Sequence, residues 1–176
     1  LEKTGAALTM AETVLKLVGP KRPAVAMSII GYVTSIPVFC DSGFVILSAL
    51  NKSLSKKSGV SMAVMATALS TGLYATHTLV PPTPGPIAAA NNLHADLGTV
   101  IFVGLMVAIP VTIAGYLWAT KFASRYELLA ESAVSYEELL EKFKNLPSAT
   151  AAFTPLILPI ILIALKSIAN FPSLPF

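Results

Sequence analysis

The chain has 176 residues, of which 55% are hydrophobic and 12% charged, with a mean hydropathy of +0.74. A soluble domain carries about 25% charged residues, so the composition excludes an ordinary soluble fold and points to an integral membrane protein. The net charge of +3 sits between the apolar segments, where it reports topology rather than a nucleic-acid-binding surface, and no nucleic-acid partner is expected.

The distribution of charge marks the spans. Residues 24–50 hold one charge, Asp41; residues 59–95 hold only two histidines; residues 97–120 and 148–165 hold none. Each run approaches or exceeds the roughly 20 apolar residues of a spanning helix. Cys40 is the single cysteine, so no internal disulfide forms. The chain starts at Leu1 without a methionine, signal peptide or basic leader and reads as an internal piece of a longer protein.

In chain order, residues 1–22 read as an amphipathic interfacial helix, with Leu1, Leu8, Ala11, Leu15 and Val18 on one stripe and Gly19-Pro20 ending it. Residues 23–51 are interrupted at Ile36-Pro37 and at Asp41-Ser42-Gly43. They form either a kinked span or a re-entrant hairpin with its tip at 40–43. Half-helices of about 13 to 15 residues rise only about 20 Å into a core about 30 Å thick, which favours the hairpin. The hairpin also leaves Lys21, Arg22, Lys52, Lys56 and Lys57 on one side of the membrane.

Residues 59–96 read as a broken transmembrane helix with 76–86 unwound, because Pro81, Pro82, Pro84 and Pro86 donate no N–H and disfavour helical angles before them. Residues 97–120 return as a transmembrane helix, bringing Lys121 and Arg125 to the side of the earlier basic cluster. Residues 121–147 form a cytoplasmic amphipathic loop, in which Ser135 and Glu138 match a capping box, and 148–170 form a last transmembrane helix. Pro110, Pro155 and Pro159 are kinks within spans, and 171–176 are an irregular exit. The fold class is thus all-α integral membrane, a re-entrant helical hairpin plus a proline-broken transmembrane helix.

Backbone left unpaired at membrane depth is tolerated only when buried in protein or lining a cavity, so the proline break is the first candidate for a binding site. Asp41 is the only acid between Pro23 and Ala95, and an intramembrane carboxylate is a functional hypothesis by default. It could bind a coupling proton, or sodium, beside an anion held by the helix that follows; the alternative is a structural cap of that helix. Histidine is the side chain type suited to changing charge near physiological pH, so His77 suits proton coupling or a hydrogen bond to substrate, with a satisfied core histidine as the plain alternative. Ser42, Gly43, Thr76, Thr78, Thr83 and Gly85 complete the expected substrate-binding set. His94 and Asp96 read as loop residues, and no metal, cofactor or enzymatic motif is expected.

Two stretches resemble the gluconate:proton symporters (gluconate permeases). Ile36-Pro37-Val38-Phe39-Cys40-Asp41-Ser42-Gly43-Phe44-Val45 is similar to a family segment with an acidic residue shortly before Gly-Phe, and residues 77–88 match its His followed by Pro-Pro-x-Pro-Gly-Pro. The resemblance implies an ion-transporter-type fold of two inverted repeats, each with a hairpin and a broken helix, of which this chain would hold one repeat core. It also implies a multi-pass protein of the bacterial cytoplasmic (inner) membrane. The second hairpin and second broken helix are absent from these 176 residues, so this piece alone is not expected to transport.

The sequence reading is a secondary active symporter of a small organic anion, gluconate or a related hydroxy acid, coupled to a proton gradient or alternatively to sodium. Its expected partners are the anionic substrate, the lipid bilayer and the missing second half of the permease, with a homodimer left open. The rival reading is a membrane-embedded structural or channel-like subunit without coupled transport.

Overall fold

A computed structural model describes residues 5–19, 22–36, 38–129, 141 and 146–169, and every regular element among them is helical. The helices are α1 (Ala6–Val18), α2 (Pro23–Thr34), α3 (Cys40–Ser58), α4 (Met62–Leu79), α5 (Pro84–Asn92), α6 (Leu97–Lys121) and α7 (Ala149–Ala169), with a 3-10 turn at Ala123–Arg125. The Ser135–Glu138 capping box and the exit at 171–176 lie outside the described residues.

Local chemistry sets the helix ends. Pro23 opens α2 at a position where its missing N–H has no intrahelical use. The 35–39 connector then separates α2 from α3, so the Asp41-Ser42-Gly43 triplet lies in the first turn of α3 and not in a loop. Phe39 occupies the N-cap position, without a side-chain cap. Beyond the expected limit at 51, α3 continues to Ser58. Leu47, Leu50 and Leu54 keep their helical register on the core, Lys56 and Lys57 suit the C-terminal dipole, and Gly59 supplies the left-handed residue at φ 72° that ends the helix.

The proline break is shorter than 76–86. Helix α4 keeps its hydrogen bonds up to Val80 N–H, which donates to the Thr76 carbonyl (2.9 Å), and α5 starts at Pro84. Only 80–83 is non-helical. A proline disturbs the turn before it, so Pro81 and Pro82 end α4, whereas Pro84 and Pro86 stand in the first turn of α5, where a helix needs no donors. Residues 76–79 are therefore helical.

Helix α4 is the axis of the bundle, packed against α2, α3 and α6. Its buried face of Val64, Met65, Ala68, Leu69 and Leu73 meets Met27 and Ile30 of α2 and Leu47 and Leu50 of α3. Glycines let the backbones touch. A Cβ on Gly31 would lie 2.6 Å from the Leu69 carbonyl oxygen, one on Gly72 would run into the Ser28 carbonyl, and one on Gly104 into the Leu79 carbonyl. Apolar surroundings give helices no hydrophobic reason to associate, so such small-residue contacts and interhelical hydrogen bonds hold membrane bundles together. Such bonds include Thr76 Oγ1 donating to the Tyr32 carbonyl (3.0 Å) and Tyr32 OH donating to the Leu105 carbonyl (2.8 Å).

Among the described residues, one segment, Leu97–Arg125, is long and apolar enough to cross a membrane. It runs through Pro110 unbroken and carries exposed Phe102, Met106, Ile113, Leu117 and Trp118. At its basic end Trp118 stacks on Phe122 (4.2 Å) with Arg125 over the Phe122 ring (5.3 Å), the aromatic and cationic mixture of a membrane interface. The same end meets the start of α4, where Met62 N–H donates to the Leu128 carbonyl (2.9 Å). Helix α1 lays Ala6, Leu8, Met10, Ala11 and Val14 inward and packs on α2 and α7. At the far end of α6, Asp96 is the N-cap, its Oδ1 accepting from Thr99 N–H at 2.8 Å.

Gly72→Ala is expected to lower the stability of the detergent-solubilised protein by about 1–3 kcal/mol, because its Cβ meets backbone that cannot rotate away. Gly85→Ala, where nothing lies within 4 Å of the added carbon, is expected to leave melting unchanged. Thermal unfolding curves of the two variants check both outcomes.

Candidate functional site

The first turn of α3, which carries Asp41, lies tight on α4, the helix that carries His77. Gly43 makes this approach possible: a Cβ there would stand 2.9 Å from Leu73 Cδ2. The turn carries Cys40, Asp41 and Phe44 to face Ser70, Leu73 and Tyr74 of α4, and these six residues line a cavity of about 100 Å³. Ser70, Tyr74 and His77 stand at i, i+4 and i+7, so they share one face of α4. That face continues from the cavity to the break.

The chemistry of the cavity is mixed. Asp41 is exposed, and the Cys40 thiol donates to its Oδ1 at 3.7 Å. An acid in the first turn of α3 and a histidine in the last turn of α4 each occupy the helix end that suits them electrostatically. The Tyr74 ring lies 6.4 Å from the His77 ring and the Phe39 ring 5.8 Å from it, both in edge contact. His77 is half-buried, and its Nδ1 has neither solvent nor a hydrogen-bond partner.

The remaining expected site residues divide by what their polar atoms already do. Thr76 is fully buried, with its hydroxyl on the Tyr32 carbonyl, and Thr83 is buried, with its hydroxyl on the Val80 carbonyl (2.8 Å). Both complete backbone acceptors near the breaks. Thr78 is exposed and bonds the Tyr74 carbonyl (2.8 Å). Ser42 is half-buried and does not line the cavity, and Gly43 is buried at the α3–α4 contact. Gly85 stands in open space in the first turn of α5. His94 is exposed with φ 51°, and no group of three metal-ligating side chains occurs among the described residues.

Sequence reasoning missed Ser70, Tyr74, Phe39 and Phe44. The i, i+4, i+7 spacing that ends on His77 was the available signal for the first two.

The whole chain, residues 1–174, matches the GntP family permease profile. A relative in Haemophilus influenzae, an uncharacterized permease, is 36% identical over 97% of this chain and 37% of its own length. The gluconate permease of Zymomonas mobilis is 35% identical over 97% of this chain and 38% of its own, and the D-serine transporter of Escherichia coli is 34% identical over 83% and 33%. The chain thus spans under two-fifths of the length of these curated relatives, whose names are those of permeases and transporters rather than enzymes. No solved structure matches it.

In a Cys40→Ser background, the pair Asp41→Cys and Ser70→Cys is expected to be bridged by a short bifunctional maleimide. The pair Asp41→Cys and Val111→Cys, with Val111 on the exposed side of α6, is expected not to be. Mass spectrometry of the cross-linked peptides reads the result.

Proposed function

Because this chain belongs to the GntP family of permeases, we propose that it carries one half-site of a secondary active symporter for a small organic anion, gluconate or a related hydroxy acid, driven by a proton gradient across the bacterial inner membrane. One observation carries the reading: Asp41, the only acid of a long, nearly uncharged stretch, shares a cavity with Ser70 and Tyr74, and the Tyr74 ring in turn touches His77 one turn further along α4. Polar side chains in such surroundings are costly unless they serve a ligand, an ion or a partner.

The family names support a carboxylate ligand. Gluconate and D-serine, which appear in the names of two relatives, both hold a carboxylate next to a carbon bearing a hydroxyl or amine. In the proposed complex that group would sit between the first turn of α3 and the Tyr74–His77 face. Asp41 and His77 are the proposed coupling groups, with the proton favoured over sodium because histidine is a residue type suited to carrying protons.

The length of α2 supports a re-entrant reading within an inverted-repeat transporter, whereas α3, at 19 residues, rises about 28 Å and is longer than the half-helix expected there. Helix α2 has 12 residues, a rise of about 18 Å, well short of a core about 30 Å thick. A cavity of about 100 Å³ is also too small for a whole sugar acid, since small-molecule sites usually enclose about 300–1,000 Å³. The second hairpin and broken helix would supply the rest of the site from elsewhere in the permease. A multi-pass topology with Lys56, Lys57, Lys121 and Arg125 on the cytoplasmic side is consistent with the hydrogen bond that joins the start of α4 to Leu128.

Uptake of labelled gluconate by the complete permease in proteoliposomes tests the proposal. With an imposed pH gradient, wild type is expected to accumulate gluconate and to lose accumulation when an uncoupler is added. Asp41→Asn is expected to lose accumulation at least about tenfold while still exchanging substrate, and His77→Ala to lower uptake by at least about tenfold, the weight of one charge-assisted hydrogen bond. A wild type that takes up neither gluconate nor other hydroxy acids nor D-amino acids, under proton and sodium gradients alike, sinks the symporter reading.

A further inference from the structure

We infer that Phe39 and Tyr74 are positioning residues for His77: the two rings fix the orientation of its imidazole, and Phe39 ties that orientation to the α2–α3 connector. The inference rests on the proposed role of His77 in the site. Tyr74 lies one turn before His77 on α4, and Phe39 comes from a different element, the last residue of the connector before α3. Their rings meet the imidazole at 6.4 Å and 5.8 Å, with interplanar angles of 64° and 65°. Both aromatics are 59% exposed, so neither is explained as core filling.

The state of the imidazole shows what such bracketing accomplishes. His77 Nδ1 has no solvent area and no hydrogen-bond partner. A buried, unpaired ring nitrogen gives no hydrogen bond to hold the side chain, and a free imidazole would rotate to wet it. Edge contacts with two rings provide the missing restraint. With Nδ1 turned inward, the Nε2 edge is the one left to meet a ligand.

Among the described residues the polar groups around this arrangement are few. From α3, Cys40 and Asp41 approach the Tyr74 side; α2 brings Tyr32, whose hydroxyl is bonded to the Leu105 carbonyl; α5 has no charged side chain, and Lys121 and Arg125 lie at the opposite end of α6. Restraint of His77 therefore falls to the aromatic pair. Phe39 thereby links the backbone beside Asp41 to the histidine on α4.

The test is gluconate uptake kinetics in the complete permease. Phe39→Ala is expected to raise KM about threefold to tenfold with Vmax within about twofold, the range an aromatic edge contact carries. Phe39→Tyr, which keeps the ring, is expected to stay within about twofold of wild type. In a His77→Gln background, Phe39→Ala is expected to add no further loss, because two residues that act through one group are not additive. If Phe39→Ala fails to fold, Phe39→Leu, which keeps the bulk without the ring, takes its place with the same expectations. Equal losses from the Phe39 change with and without His77 overturn this inference and leave the symporter reading intact. A kinetically silent His77→Gln, or a wild type without uptake, overturns the functional role of His77 and this inference with it.

Discussion

Backbone-to-backbone contact along α4 is the constraint on which the other features depend. Gly31 and Gly72 bring α2 and α4 so close that a Cβ on either would run into the carbonyl groups of the other, and Gly104 brings α6 equally close to the end of α4. Contact at this distance fixes both the depth and the rotational phase of each helix. The phase of α4 then decides which of its polar residues face inward to other backbones and which face the first turn of α3. Thr76 falls on the first side; Ser70 and Tyr74 fall on the second.

Hydroxyl groups near the two interruptions share a task. Ser35 donates to the Val38 carbonyl (3.3 Å), Thr83 to the Val80 carbonyl and Thr76 to the Tyr32 carbonyl. In an apolar setting an unbonded carbonyl is expensive, and short hydroxyl side chains near a break are the cheapest local remedy. Threonines beside a proline break therefore have a structural use that competes with any ligand. What remains available is concentrated in Asp41, Ser70, Tyr74 and the outer edge of His77.

Much of the fold was legible in the chain. The uncharged runs marked the helical stretches, and Ile36-Pro37 and Pro81-Pro82 fall at the gaps between helices, because proline's missing N–H and fixed ring act on any helix they enter. The third expected interruption, Asp41-Ser42-Gly43, is instead the first turn of α3. The extent of each interruption was not legible to the same degree. The same residue type ends α4 at Pro81 and opens α5 at Pro84, and its effect depends on whether it falls at the end or the start of a helix. Likewise, the expected hairpin ends at 51, yet Asn51 to Ser58 stays wound as part of α3, with Leu54 in helical register with Leu47 and Leu50 on the core.

The sequence by itself determined an apolar helical protein of the permease family, the prolines near which its helices break, and Asp41 and His77 as unusual groups within uncharged stretches. These follow from residue type and spacing, and need no knowledge of what packs on what. Only the tertiary structure decided that Asp41 shares a cavity with Ser70 and Tyr74, that Thr76 and Thr83 are committed to backbone carbonyls, and that Phe39 reaches across from another element to the ring of His77. Such relations depend on the rotation and separation of whole helices. Those are set by close contacts such as Gly31 on Leu69 and Gly43 on Leu73, pairs far apart in the chain that no local pattern joins.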